Sequence, residues 1–62
     1  MVYFTPDQVA QRYQVSEATL KEWRYKGTGP EYVRLGRHVR YPATALQQFE
    51  AEREREAAAR AR

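Results

Sequence analysis

Only Gln14 and Val15 separate two stretches that each carry their own helix-start signal, and no other feature constrains the fold as tightly. The first signal is Thr5-Pro6-Asp7-Gln8, with Thr5 as cap, Pro6 at the first helical position, Asp7 suited to the helix dipole, and Gln8 closing a capping box. The second is Ser16-Glu17, a cap followed by a carboxylate in the first turn. The signals predict one helix from Pro6 to about Tyr13 and a second that starts at Ser16 and stops where Gly27 can turn left-handed. Two helices joined so closely must cross at a steep angle, and Val15 is placed to plug the corner.

The faces follow from the helical period. In the first helix Val9, Ala10 and Tyr13 share one side, while Gln8, Gln11 and Arg12 can stay in water. Phe4, just before the cap, is spaced to meet Val9 as a hydrophobic staple. In the second helix Leu20 and Trp23 project to one side, and Ala18, Lys21, Glu22 and Tyr25 to the other. Because Trp23 shares the stripe of Leu20, it reads as core rather than as a platform for stacking bases.

After Gly27, Thr28-Gly29-Pro30 must be a turn, since two glycines and a proline at this density cannot continue a helix. Glu31 to Leu35 and His38 to Tyr41 alternate with period two around a two-residue loop, Gly36-Arg37. Run straight through, the alternation places Val33, Leu35, Val39 and Tyr41 on one face, with Arg34, His38 and Arg40 on the other. Pro42 ends the hairpin, and a final helix begins within a residue or two with Leu46 and Phe49 as its packing face. From Ala51 to Arg62 there is no apolar stripe wider than alanine, only high helix propensity and spaced Glu/Arg pairs, which predicts a solvated, fraying helical tail.

The expected architecture is therefore a small α+β domain over 1–50, ordered helix, turn, helix, hairpin, helix, with a charged tail over 51–62. Its expected core is Phe4, Val9, Tyr13, Val15, Leu20, Trp23, Val33, Leu35, Val39, Tyr41, Leu46 and Phe49. A chain of 62 residues buries only about 60% of its unfolded surface, leaving little room for a deep substrate pocket beside one small core. Catalysis is disfavoured on that ground. Ser16, Asp7 and His38 are the only residues from which a nucleophilic triad could be drawn, and two of them are already explained as helix-start residues. With a single histidine and no cysteine, no metal site and no disulfide framework is expected, and no glycine-rich phosphate loop precedes a helix. No cofactor and no small-molecule ligand are expected. No apolar run approaches the roughly 18 residues of a membrane span and no leader pattern opens the chain. A cytoplasmic setting with no membrane partner is the expectation.

The formal net charge is +3, and its placement matters more than its size. Between Glu17 and Tyr41 the six cations Lys21, Arg24, Lys26, Arg34, Arg37 and Arg40 face only Glu17, Glu22 and Glu31. From Leu46 onward, four arginines are cancelled by four glutamates. The positive field belongs to the second helix and the hairpin, an asymmetry that points to a polyanion.

These pieces together resemble a known family, the excisionase-like winged helix-turn-helix proteins of the MerR superfamily, which includes phage excisionases and AlpA-like regulators. The resemblance is carried by Tyr3-Phe4-Thr5-Pro6-Asp7-Gln8-Val9-Ala10, by Val15 to Trp23, by Gly29-Pro30, by Val33-Arg34-Leu35-Gly36-Arg37-His38-Val39-Arg40-Tyr41, and by the Leu46/Phe49 pair. It implies a second helix that enters the major groove of double-stranded DNA and a hairpin wing on the backbone or the neighbouring minor groove. Phe49 stands where the family often has tryptophan. The long dimerisation helix and effector domain of MerR regulators have no counterpart here, so small-molecule sensing is not implied.

Within that frame the expected recognition-helix contacts are Ser16, Glu17, Ala18, Thr19, Lys21, Glu22, Arg24, Tyr25 and Lys26. Lys and Arg reach guanine edges or phosphates, a tyrosine hydroxyl can bond phosphate, and Ser16 and Thr19 stand where a helix N-terminus favours an anion. The expected wing contacts are Arg34, Arg37, His38 and Arg40, with Arg37 at the tip able to enter a minor groove. The leading expectation is a sequence-specific architectural DNA-binding protein of a bacterium or phage, located with the nucleoid. Most specifically it is an excisionase that binds adjacent sites with other copies of itself, bends DNA and assists an integrase. A transcriptional regulator with the same contacts is the near alternative, and an adaptor docking on an acidic protein is the alternative from another class.

Overall fold

A computed structural model describes residues 2–61 and orders them as β1 (Tyr3–Phe4), α1 (Pro6–Tyr13), α2 (Glu17–Lys26), β2 (Val33–Leu35), β3 (His38–Pro42) and α3 (Ala43–Arg60). This is a small α+β winged helix-turn-helix. The capping box at α1 is closed in both directions: Gln8 N–H donates to Thr5 Oγ1 at 3.1 Å, and Thr5 N–H donates to Gln8 Oε1 at 2.9 Å. At α2, Thr19 N–H donates to Ser16 Oγ at 3.1 Å.

Both helices close by the same device. At the end of α2, Gly27 is left-handed (φ 70) and Thr28 N–H donates to Trp23 O at 3.0 Å. At the end of α1, Gln14 takes the left-handed position (φ 57), Val15 N–H donates to Ala10 O at 3.0 Å, and Gln14 N–H donates to Gln11 O at 3.2 Å. A non-glycine residue there costs about 1 kcal/mol. The fold accepts it because the immediate restart of α2 leaves no other way to reverse the chain, and because Val15 then packs against the core beside Ala10.

Val9 from α1, Leu20 from α2, Leu46 from α3 and Tyr41 from β3 are each at most 1% exposed, so every major element contributes one sealed side chain to a common centre. Ala10 joins them, and Phe4, Tyr13, Val15, Trp23, Tyr32 and Val39 pack around the cluster. Phe49 bridges the layers, with its ring centroid 5.8 Å from that of Tyr13 and 5.9 Å from that of Trp23. The turn after α2 passes directly over the indole: a Cβ at Gly29 would lie 2.9 Å from Trp23 Cβ. Glycine is required there by space, not by φ, and Pro30 beside it is buried.

Two features of the sheet differ from expectation. The apolar lead-in Tyr3–Phe4 is a strand, pairing antiparallel with β3 (Tyr3 opposite Pro42, Phe4 opposite Tyr41) to give a three-stranded sheet of order β1-β3-β2. The second difference concerns Val33 and Leu35, which were expected in the core but are 37% and 50% exposed. The pairing explains it: Val33 stands opposite Arg40, Arg34 opposite Val39, and Leu35 opposite His38. A two-residue loop makes its flanking residues face the same way, so the alternation reverses across Gly36-Arg37. Tyr32, Arg34, Val39 and Tyr41 therefore share the core-side face, while Val33, Leu35, His38 and Arg40 share the outer one. Arg34 does not lie with His38 and Arg40 as the uninterrupted alternation implied.

Glu50 ties α3 to α1. Arg12 donates to it twice, from Nε to Oε2 at 2.7 Å and from Nη2 to Oε1 at 3.0 Å, and the Tyr13 hydroxyl donates to Oε2 at 2.7 Å. The hydrogen bonds from Arg12 hold the Glu50 carboxyl below its usual range. Burial, reinforced by the bond to Glu50, pushes the Tyr13 hydroxyl upward. A carboxylate depressed in the folded state stabilises above its unfolded pKa and ceases to as pH falls through the folded value; a phenol raised in the folded state weakens the fold once pH exceeds the unfolded phenol range. Replacing Glu50 with glutamine is therefore expected to lower the melting temperature at pH 7 and to flatten its fall between pH 5 and 3. Thermal melts of both proteins across that range check it.

Beyond Glu50 the helix continues unbroken to Arg60 with every side chain exposed. Packing does not stop at Glu50, however. The Arg53 guanidinium lies 5.1 Å from the Phe49 ring centroid and reaches Thr28 O at 3.5 Å. Met1 and Arg62, the outermost residues of the two expected segments, lie outside the described residues. Among the described residues no helix is long and apolar enough to cross a membrane.

Candidate nucleic-acid interface

α2 is seated by Leu20 at the centre and Trp23 against Phe49 and Gly29, so its opposite side is fixed outward. Ala18, Lys21, Glu22 and Tyr25 occupy that side at helical spacing and are all exposed. Tyr25 is 92% exposed, far more than a packed tyrosine. Glu17 and Ser16 are exposed at the helix start, and Thr19 is half-buried with its hydroxyl 3.0 Å from that of Ser16. The Ser16 oxygen already accepts the Thr19 N–H, so capping accounts for this pair. Lys26 pairs with Glu22 at 3.5 Å across one helical turn, both side chains remaining well exposed. Such a pair is worth only about 0.3–0.5 kcal/mol and opens readily.

The wing presents Arg37 at its tip in the two-residue loop, with Gly36 left-handed (φ 66) as the turn requires. His38 and Arg34 are exposed, whereas Arg40 is half-buried and folds back so that Nη1 donates to Val39 O at 2.7 Å. Lys21, Arg24, Arg34, Arg37 and Arg40 have no carboxylate within 4 Å among the described residues. These five cations of helix and wing are thus not engaged in ion pairs among the described residues, the condition under which a polyanion is attracted and counterions are released on binding.

Arg24 stands apart from its neighbours on α2. It is half-buried, its Nη1 donates to the Tyr41 hydroxyl at 2.8 Å, and its guanidinium lies 5.9 Å from the Tyr32 ring centroid. Tyr32 was not singled out in the sequence, although the reversal of alternation at Gly36-Arg37 places it opposite Tyr41; their rings lie 6.2 Å apart. The structure thus brings Lys21 and Tyr25 together on the open helix face and Arg37 and His38 to the wing end, and it turns Arg24 and Arg40 back onto the protein.

A family model described as a helix-turn-helix domain matches residues 3–54, from β1 through the part of α3 that carries Arg53. No curated protein and no solved structure matches the chain.

Proposed function

We propose, from the premise that the chain belongs to this helix-turn-helix family of excisionase-like proteins and is a small DNA-binding protein, that it acts as an excisionase. In this reading α2 lies in the major groove, with Lys21 and Tyr25 toward bases and phosphates, and the wing carries Arg37 to the adjacent minor groove or backbone. The observation that carries it is the outward face of α2, where a 92% exposed tyrosine stands beside an unpaired lysine on a helix otherwise anchored to the core. The protein performs no chemistry of its own and works in the cytoplasm, at the nucleoid.

One module of this size covers few base pairs and holds a single site weakly, so useful occupancy requires neighbouring copies on adjacent sites. Bound side by side, such copies bend the DNA between them and present it to an integrase. The exposed end of α3 is the segment free to meet a neighbour or the integrase. Truncation after Glu54, which keeps the contacts of Arg53 with Phe49 and Thr28 and removes its partner Glu56, is expected to preserve binding to an isolated site while reducing cooperative filling of adjacent sites. Gel-shift titrations on one-site and two-site duplexes check this. Tandem footprints beside a recombination attachment site, with mobility showing a bend, support the excisionase reading. A lone footprint over a promoter contradicts it and favours a transcriptional regulator.

A further inference from the structure

As a cation of the second helix Arg24 is an expected DNA contact, yet its surroundings give it a different task. Its guanidinium leaves α2 and meets two aromatic residues: the hydroxyl of Tyr41 in β3, 2.8 Å away, and the ring of Tyr32 just before β2, 5.9 Å from its centroid. Tyr41 is 1% exposed and sits in β3, the strand shared by both halves of the sheet. On the same Tyr32 ring lies a second guanidinium, that of Arg34 in the wing, 5.8 Å from the centroid. Helix α2, the segment before β2 and the wing are thereby joined through one aromatic ring and one buried hydroxyl. A guanidinium held by a hydrogen bond and an aromatic face loses most of its freedom, and a lysine, lacking the planar fork, cannot reproduce both contacts.

We infer that Arg24 is a positioning residue: through Tyr41 and Tyr32 it sets the angle between recognition helix and wing, so that both engage one DNA duplex together. The inference rests on the DNA-binding reading and deepens it. If Arg24 acts this way, its loss weakens binding by releasing the wing, and the contribution of Arg37 at the tip is lost with it. If Arg24 contacts DNA directly, its loss and that of Arg37 are independent.

The test is a double-mutant cycle on a duplex that the native protein retains from genomic fragments, using Arg24→Met, Arg37→Ala and the combination. Arg24→Met keeps the apolar stem and removes the guanidinium. Each single change is expected to weaken binding about tenfold, and the double change less than about twofold further than Arg24→Met alone. Tyr41→Phe, which keeps the buried ring and removes the acceptor, is expected to reproduce part of the loss and the same non-additivity, while Arg24→Lys restores little. Melting temperatures of all variants show that the domain remains folded. Losses that multiply across the cycle overturn the inference while leaving the DNA-binding reading intact. Failure of the native protein to retain any duplex overturns both.

Discussion

Leu20→Ala is expected to leave the protein largely unfolded at 37 °C and to abolish DNA binding. Leu20 is completely buried and is the one fully sealed side chain of α2, meeting Val9, Tyr41 and Leu46 where four elements converge. Truncating a leucine at such a point costs about 2–5 kcal/mol, through lost burial and the cavity left behind. A domain this small holds only about 3–5 kcal/mol in total, so the loss consumes most of it. Trp23, only half-buried, cannot compensate, because its position depends on α2 already lying against Phe49 and Gly29. Urea denaturation followed by far-ultraviolet circular dichroism measures the effect. A loss below about 1 kcal/mol contradicts the convergent core as described.

The second large effect separates reading from holding. Lys21→Ala is expected to weaken binding to the preferred duplex by about 1–3 kcal/mol, with little change on a scrambled duplex. Arg37→Ala is expected to weaken both duplexes alike and to reduce the slope of log affinity against log salt by about one. Lys21 is exposed on the outward face of α2, so its replacement is expected to leave the melting temperature within about 2–4 °C, since such surface changes fall within about ±0.5 kcal/mol. Anisotropy titrations of both variants on both duplexes at three salt concentrations resolve the two patterns. Equal losses on the two duplexes for Lys21→Ala contradict the placement of α2 in the major groove.

The parts of this fold that were legible in the sequence are those written locally. Thr5-Pro6-Asp7-Gln8, Ser16-Glu17 and Gly27 mark helix ends by chemistry that acts within four residues, and the observed ends of α1 and α2 agree with them. The two-residue loop was legible for the same reason. Its consequence is not legible from apolar alternation alone, which runs straight through the turn and places Val33 and Leu35 in the core, whereas the pairing across Gly36-Arg37 turns Tyr32 inward instead. β1 was illegible because two residues form a strand only when β3 supplies the partner. The left-handed Gln14 carries no signal of its own, since only the crossing of α1 and α2 demands that conformation.

The candidate site divides in the same manner. The outward face of α2 was readable from the helical period, because Leu20 and Trp23 fix the rotation of the helix. Arg24 reads as a DNA contact from its charge and its place on the second helix, whereas its partners Tyr41 and Tyr32 lie 17 and 8 positions along the chain and meet it only once the sheet folds back over α2. Charge composition found the basic region but could not separate cations that face solvent from cations that brace the structure.

The measurement that bears most directly on the central claim is retention of genomic DNA fragments by the 62-residue protein at about 0.15 M salt with excess nonspecific competitor, followed by footprinting of what is held. Double-stranded fragments should be retained, with protection in one major groove and the minor groove beside it. No retained fragment, or protection without a preferred sequence, would contradict recognition by α2 and the wing.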